Sequence, residues 1–265
     1  MVEEQFLAVP GARLRYQVRG TGPVLLLIPG GAMESAEFSR LAEDLAADHT
    51  VVTYDSRGIS GSTRDDPGAD ITIDTQADDA ARLLAAVTSE PALVFGSSGG
   101  AITGLALTAK HPGLVRVLVA HEPPVTTLLP AAFTADDELT EVYRRDGVDA
   151  AMAKFMEIAE LDGPGDDGPE PDPAEYARMR ANFDVFLGHM IAEIGAFEPD
   201  VDALATASTR IVLGGGAGSS ADQPAKLAAD AVAKLLGTET VLFPGDHVGF
   251  VFDPAGFAAK LREVL

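Results

Sequence analysis

The segment Gly96-Ser97-Ser98-Gly99-Gly100 restricts the fold more than any other part of this chain. It fits Gly-x-Ser-x-Gly in a single frame, with Ser98 at the centre. An apolar run at 92–95 precedes it, and an apolar helical stretch follows to about Lys110. A strand that passes into a helix through residues this small makes a very tight turn. Such a turn strains its central serine and projects the hydroxyl from the edge of a sheet. Ser98 is therefore the candidate nucleophile, and the fold must supply a strand before it and a helix after it.

The rest of the chain repeats that alternation. Runs at 14–18, 24–28, 51–54, 92–95, 115–120, 210–213 and 239–243 read as strands. The unbroken apolarity of 24–28 is what a strand covered on both faces requires. Helical spacing occupies 37–47, 74–87, the stretch after Ser98, 221–236 and 254–264. His111-Pro112 ends the third of these, because the residue before proline avoids the α region. The pattern predicts an α/β fold: a mostly parallel sheet with helices on both faces. From about 124 to 200 the alternation gives way to helical patterns at 139–145, 148–160 and 174–194. Within them lies 162–172, a Pro/Gly-rich segment with acidic and no basic residues, which reads as a solvated loop. The expected organisation is a core formed by 1–124 and 200–265, with 125–199 inserted as a helical cap.

A serine acyl-transfer site also needs donors for a developing oxyanion, a base, and an acid that orients the base. Pro29-Gly30-Gly31-Ala32 follows the first buried strand, so the amides of Gly31 and Gly99 are the candidate oxyanion donors; Gly99 opens a helix, whose dipole favours negative charge. Of five histidines, His247 lies in Pro244-Gly245-Asp246-His247-Val248-Gly249, just after the last strand, where a serine-then-histidine order places the base. His49, His111 and His121 read as structural. The loop after 210–213 has no carboxylate before Asp222, which reads as a helix cap. Glu122, at the end of the strand after the nucleophile helix, is the preferred acid, with Asp222 the alternative. Asp246 is too close to His247 in sequence to hold its ring. Asp55 and Arg57 read as a turn held by charge-assisted bonds. Met33, His189 and Phe186 are expected to bind substrate, and Phe133, Phe155 and Phe183 are further pocket candidates.

Composition closes off other chemistries. The chain has 265 residues and no cysteine, so thiolate metal sites, disulfides and a cysteine nucleophile are excluded. The N-terminus lacks a basic region followed by an apolar one, and no apolar run approaches the ~18 residues of a membrane span. A cytoplasmic protein is expected. Its net charge of −22 repels phosphate backbones and anionic membranes, so neither nucleic acid nor membrane is an expected partner.

Together, Pro29-Gly30-Gly31, Asp55-x-Arg57-Gly58, Gly96-x-Ser98-x-Gly100, His121-Glu122-Pro123 and Gly245-x-His247 resemble the α/β-hydrolase superfamily across nearly the whole chain. The Ser–Glu spacing and the His-Glu-Pro segment look similar to the zearalenone lactonases and to actinobacterial α/β hydrolases of this length. The resemblance implies the α/β-hydrolase fold, a Ser98–His247–Glu122 triad and a helical cap. It also implies a small-molecule acyl substrate and no cofactor or metal. The expected activity is hydrolysis of an ester or lactone through an acyl-enzyme. Thioester, amide or carbon–carbon hydrolysis would use the same triad, and a non-catalytic ligand-binding protein is the reading from another class. Serine at the elbow argues against epoxide hydrolase and haloalkane dehalogenase chemistry, which need a carboxylate there. Assembly stays open, with a homodimer among the expectations.

Overall fold

The computed structural model describes residues 3–130, 136–159 and 172–265. In chain order its elements are β1 (Glu4–Val9), β2 (Ala12–Arg19), β3 (Val24–Ile28), a 3-10 turn (Ser35–Phe38) leading into α1 (Ser39–Leu45), β4 (Thr50–Tyr54), β5 (Thr63–Arg64) and α2 (Ile73–Val87). Then come β6 (Ala92–Ser97), α3 (Gly99–Lys110), β7 (Val115–His121), α4 (Asp136–Asp146), α5 (Val148–Ile158), α6 (Pro173–His189), α7 (Ile191–Gly195) and α8 (Val201–Thr206). The chain closes with β8 (Arg210–Gly216), α9 (Pro224–Leu235), β9 (Val241–Phe243), α10 (Gly249–Phe252) and α11 (Pro254–Val264).

The strands form one sheet in the order β1-β2-β4-β3-β6-β7-β8-β9, with β5 beside β2. Pairing is antiparallel from β1 to β4 and parallel from β4 to β9. The central strands alternate their side chains between two cores. Leu26, Ile28, Val52, Val94 and Leu118 face α2 and α3. Leu25, Leu27, Val51, Phe95 and Val119 face the opposite side, among Leu41, Leu45, Phe257 and Leu261 of α1 and α11. All ten of these strand residues are buried, at ~1.5–3 kcal/mol each. This is why their sequence reads as continuous apolar runs.

Four helices, α4 to α7, stand between β7 and α8 and pack on one another. Polar contacts from two neighbouring turns bind α6 to the sheet layer. Arg178 pairs with Glu34 at 2.9 Å, and the Asn182 Oδ1 accepts a hydrogen bond from the Ser60 amide at 2.8 Å. The Ser60 hydroxyl bonds to Glu34 as well.

Several boundaries differ from the sequence reading. The single helix expected over 174–194 is two, broken at Met190 (φ −123°), and the carbonyl of His189 accepts from the amide of Ile71 instead of continuing a helix. The helix expected from 221 begins at Pro224, behind Gln223, so Asp222 does not cap it. The strand β1 was not anticipated; its alternating residues are half exposed at the edge of the sheet. Glu160 and most of the 162–172 segment, like Phe133, lie outside the described residues.

Candidate active site

Four strand ends and one loop meet at one edge of the sheet. β6 passes into α3 through Ser98, whose backbone is left-handed (φ 54°, ψ −123°). The amide of Ser98 donates to the carbonyl of His121 at 2.9 Å, which ties the turn to the end of β7. The flanking glycines are steric necessities. A Cβ on Gly96 would overlap the carbonyl of Gly100, and one on Gly100 would overlap the carbonyl of Ile28 on the neighbouring strand. Gly31 follows β3 with φ +51°, and a Cβ on Gly99 would lie 3.3 Å from the Gly31 nitrogen. The two amides named as oxyanion donors are thus neighbours, and both residues line the cavity that Ser98 lines.

Glu122 sits one residue past β7, fully buried and left-handed (φ 45°). Its amide donates to the carbonyl of Gly214 at 2.9 Å. One carboxylate oxygen, Oε1, accepts from the amide of Gly216 at 2.7 Å; the other, Oε2, lies 2.7 Å from Nδ1 of His247. Burial pushes the Glu122 pKa up, but the His247 hydrogen bond and charge and the Gly216 amide outweigh it, holding the group down at about 2. His247 is itself buried and lines the same cavity as Ser98.

The other carboxylates are differently engaged. Asp222 is exposed, and Asp246 accepts from the amide of Val248 at 3.0 Å. Asp55 accepts from Arg15, the Ser35 amide and the Gly61 amide, while Arg57 makes two bonds to Asp79 on α2. His121 is wholly buried, with ring contacts to Phe95, Phe243 and Phe257. Burial lowers its pKa to about 4, helped by His247 and opposed by Glu122.

The cavity over Ser98 measures ≈ 90 Å³. Its wall is largely apolar, formed by Leu139, Phe155, Ile158, Phe186, Ile191 and Ile194 from the helices between β7 and β8. Phe186 lies against Gly31, 3.3 Å from where a Cβ on that glycine would be. Phe155 packs edge-on to Phe186, and Phe183 is buried behind both. Two expected substrate-binding residues lie elsewhere. Met33 follows a tight turn, with its amide on the carbonyl of Gly30, and packs into the α1/α11 core. His189 ends α6 and puts its Nδ1 3.5 Å from Asp70, outside the cavity lining. Helical spacing alone does not reveal which way the end of a helix turns.

Polar groups that escaped the sequence reading include the Gly216 amide and, in the cavity wall, Thr126 and Gln223. The glycine run that ends β8 was read only for its lack of a carboxylate, although a Cβ on Gly214 would press on Phe243 and one on Gly216 on the backbone of Asp246, beside His247. Among the described residues no three His, Asp or Glu side chains converge as a metal ion would require.

Comparison with known proteins agrees with this architecture. A family model described as alpha/beta hydrolase fold matches residues 23–153. A hydrolase of Bacillus subtilis (strain 168), YraK, is 36% identical over 263 residues, covering 98% of this chain and 94% of its own. A zearalenone hydrolase of Bionectria ochroleuca is 27% identical over 258 residues, covering 94% and 92%. The crystal structure of a hydrolase from Pseudomonas aeruginosa PA01 superposes with a TM-score of 0.75 at 21% identity, covering 99% and 98%.

Proposed function

The chain belongs to the α/β-hydrolase fold family and is a hydrolase; from that premise we propose that it is a serine hydrolase cleaving a carboxylic ester or lactone. The observation that carries the proposal is the buried Glu122–His247 pair, 2.7 Å apart, beside the cavity lined by Ser98. With Nδ1 engaged by a carboxylate, Nε2 is the ring nitrogen left to take a proton.

In this mechanism Oγ of Ser98 bonds to the acyl carbon while its proton passes to Nε2 of His247. The carbonyl electrons move onto oxygen, and the amides of Gly31 and Gly99 stabilise that charge. Collapse breaks the bond to the alcohol oxygen, which takes the proton from His247. A lactone opens at this step, and its alcohol stays on the acyl chain. Water then repeats the sequence, giving its proton to His247, and Ser98 leaves with that proton restored. The helices α4 to α7 act as a cap that surrounds the substrate with apolar side chains. The relative named for zearalenone supports an ester or lactone as the bond cleaved.

Labelling with a fluorophosphonate, read by intact mass, tests the nucleophile. One adduct is expected on the wild type and none on Ser98→Ala, with ester turnover lost in the variant and its fold unchanged. Ester turnover retained by Ser98→Ala would refute the proposal.

A further inference from the structure

The cavity wall contains polar residues that the proposed chemistry does not use, Thr126 and Gln223 among them, and Gln223 is the unusual one. Gln223 occupies the N-cap position of α9, where a side chain ordinarily bonds to the first turn of its helix or points into water. It does neither. It makes no capping bond, and it is 3% exposed. Its backbone is held at both ends, by a bond from its amide to the carbonyl of Ser220 and one from the Leu227 amide to its own carbonyl. The side chain turns inward, and Nε2 donates to the carbonyl of Ala159, another wall residue, at 3.2 Å. That bond fixes the orientation of the amide, since reversing it would oppose two carbonyl oxygens. The remaining oxygen, Oε1, is buried and has no partner among the described residues.

A buried acceptor without a donor is costly, and native proteins rarely keep one without a use. Here the wall around it is mostly apolar and opens on Ser98. We propose that Gln223 is a specificity-determining residue whose Oε1 accepts a hydrogen bond from a hydroxyl on the acyl part of the substrate. A hydroxyl fits better than other donors. An ammonium group would have to leave water for an apolar wall, and an amide would bring a second carbonyl needing its own donor. The acyl part is the relevant half, because it stays on Ser98 through both steps and one wall contact can orient it in each. The inference rests on the serine-hydrolase reading above and narrows it to hydroxylated acyl substrates.

The test uses p-nitrophenyl esters in matched pairs of equal size: 2-hydroxyhexanoate with 2-methylhexanoate, 3-hydroxyhexanoate with 3-methylhexanoate, and 6-hydroxyhexanoate with heptanoate. The wild type should favour the hydroxylated member of at least one pair by about tenfold or more in kcat/KM. Gln223→Met and Gln223→Leu should bring that ratio to about one or reverse it, whereas a merely structural role would lower both members alike. No preference in any pair, or a preference kept by both variants, would overturn the assignment while leaving the serine mechanism intact. Absence of turnover on every ester, together with no fluorophosphonate adduct at Ser98, would instead overturn the underlying mechanism and this inference with it.

Discussion

A carboxylic acid buried as completely as Glu122 would ordinarily keep its proton. It stays charged because each of its oxygens has a donor, the Gly216 amide on one and His247 on the other. In the proposed mechanism this charge stabilises the imidazolium that forms as Ser98 attacks. Glu122→Gln should therefore lower kcat by roughly a hundredfold to ten-thousandfold. Asp222→Asn, at an exposed site, should change it by less than about twofold. Initial rates on one p-nitrophenyl ester rank the two, and the reverse ranking would return the acid to the loop after β8. His121 makes the opposite choice and stays neutral among three phenylalanine rings. Its pKa falls from 6.5 to about 4 on folding, so between those values the unfolded chain binds the extra proton. Stability from this residue is present above pH 6.5 and is lost as pH falls toward 4, by about 3 kcal/mol. Urea unfolding at pH 7 and pH 4.5 should show a smaller loss in His121→Leu than in the wild type. Equal losses would mean that His121 does not titrate in this way.

At the scale of elements, the turn from β6 into α3 tolerates no extra atom. Gly100→Ala would drive a methyl group into the backbone of β3, which has no room to retreat, and should cost about 3 kcal/mol or more in chemical denaturation. The contact between α6 and the sheet layer is smaller. Asn182→Ala leaves the left-handed Ser60 without a partner for its amide and should cost about 1–3 kcal/mol by the same measurement. An unchanged midpoint would show that water replaces the amide. How far such elements can be read in advance depends on what holds them. The strand at 24–28 and the helix at 254–264 matched their expected limits, since an apolar run and a proline at the first helical position are local signals. The position of Glu122 was readable because a strand end is also set locally. The break at Met190 was hidden, since it depends on Ile71, a residue far away in the chain. The Gln223 side chain was hidden for a similar reason: its direction is fixed by Ala159. Met33 and His189 lie away from the cavity, which was hidden because residue type does not reveal which core a side chain joins, as with Met33, or which way the end of a helix turns, as with His189.

At the scale of the whole molecule, acidic residues outnumber basic ones 41 to 19. Ion pairs such as Arg262–Asp48 and Arg180–Asp149 lie near the surface and contribute little individually. Net repulsion should therefore dominate the response to salt. Raising sodium chloride from about 10 mM to 0.3 M should shorten the Debye length about fivefold and raise Tm by a few degrees; a fall in Tm would mean that the surface pairs outweigh the repulsion. The cavity, finally, draws most of its apolar wall from one continuous stretch of the chain, with Gln223, Pro224 and Ala225 added from the start of α9. Ser98, His247, Gly31 and Gly99 come from the edge of the sheet, while Leu139, Phe155, Ile158, Phe186, Ile191 and Ile194 come from the helices between β7 and β8. A gene built this way can change in one continuous stretch of codons and leave the proposed reacting groups untouched. Descendants that exchange only that stretch would keep the proposed reaction with a different appetite, so drift between β7 and β8, together with position 223, is where divergence of diet within such a lineage should be sought.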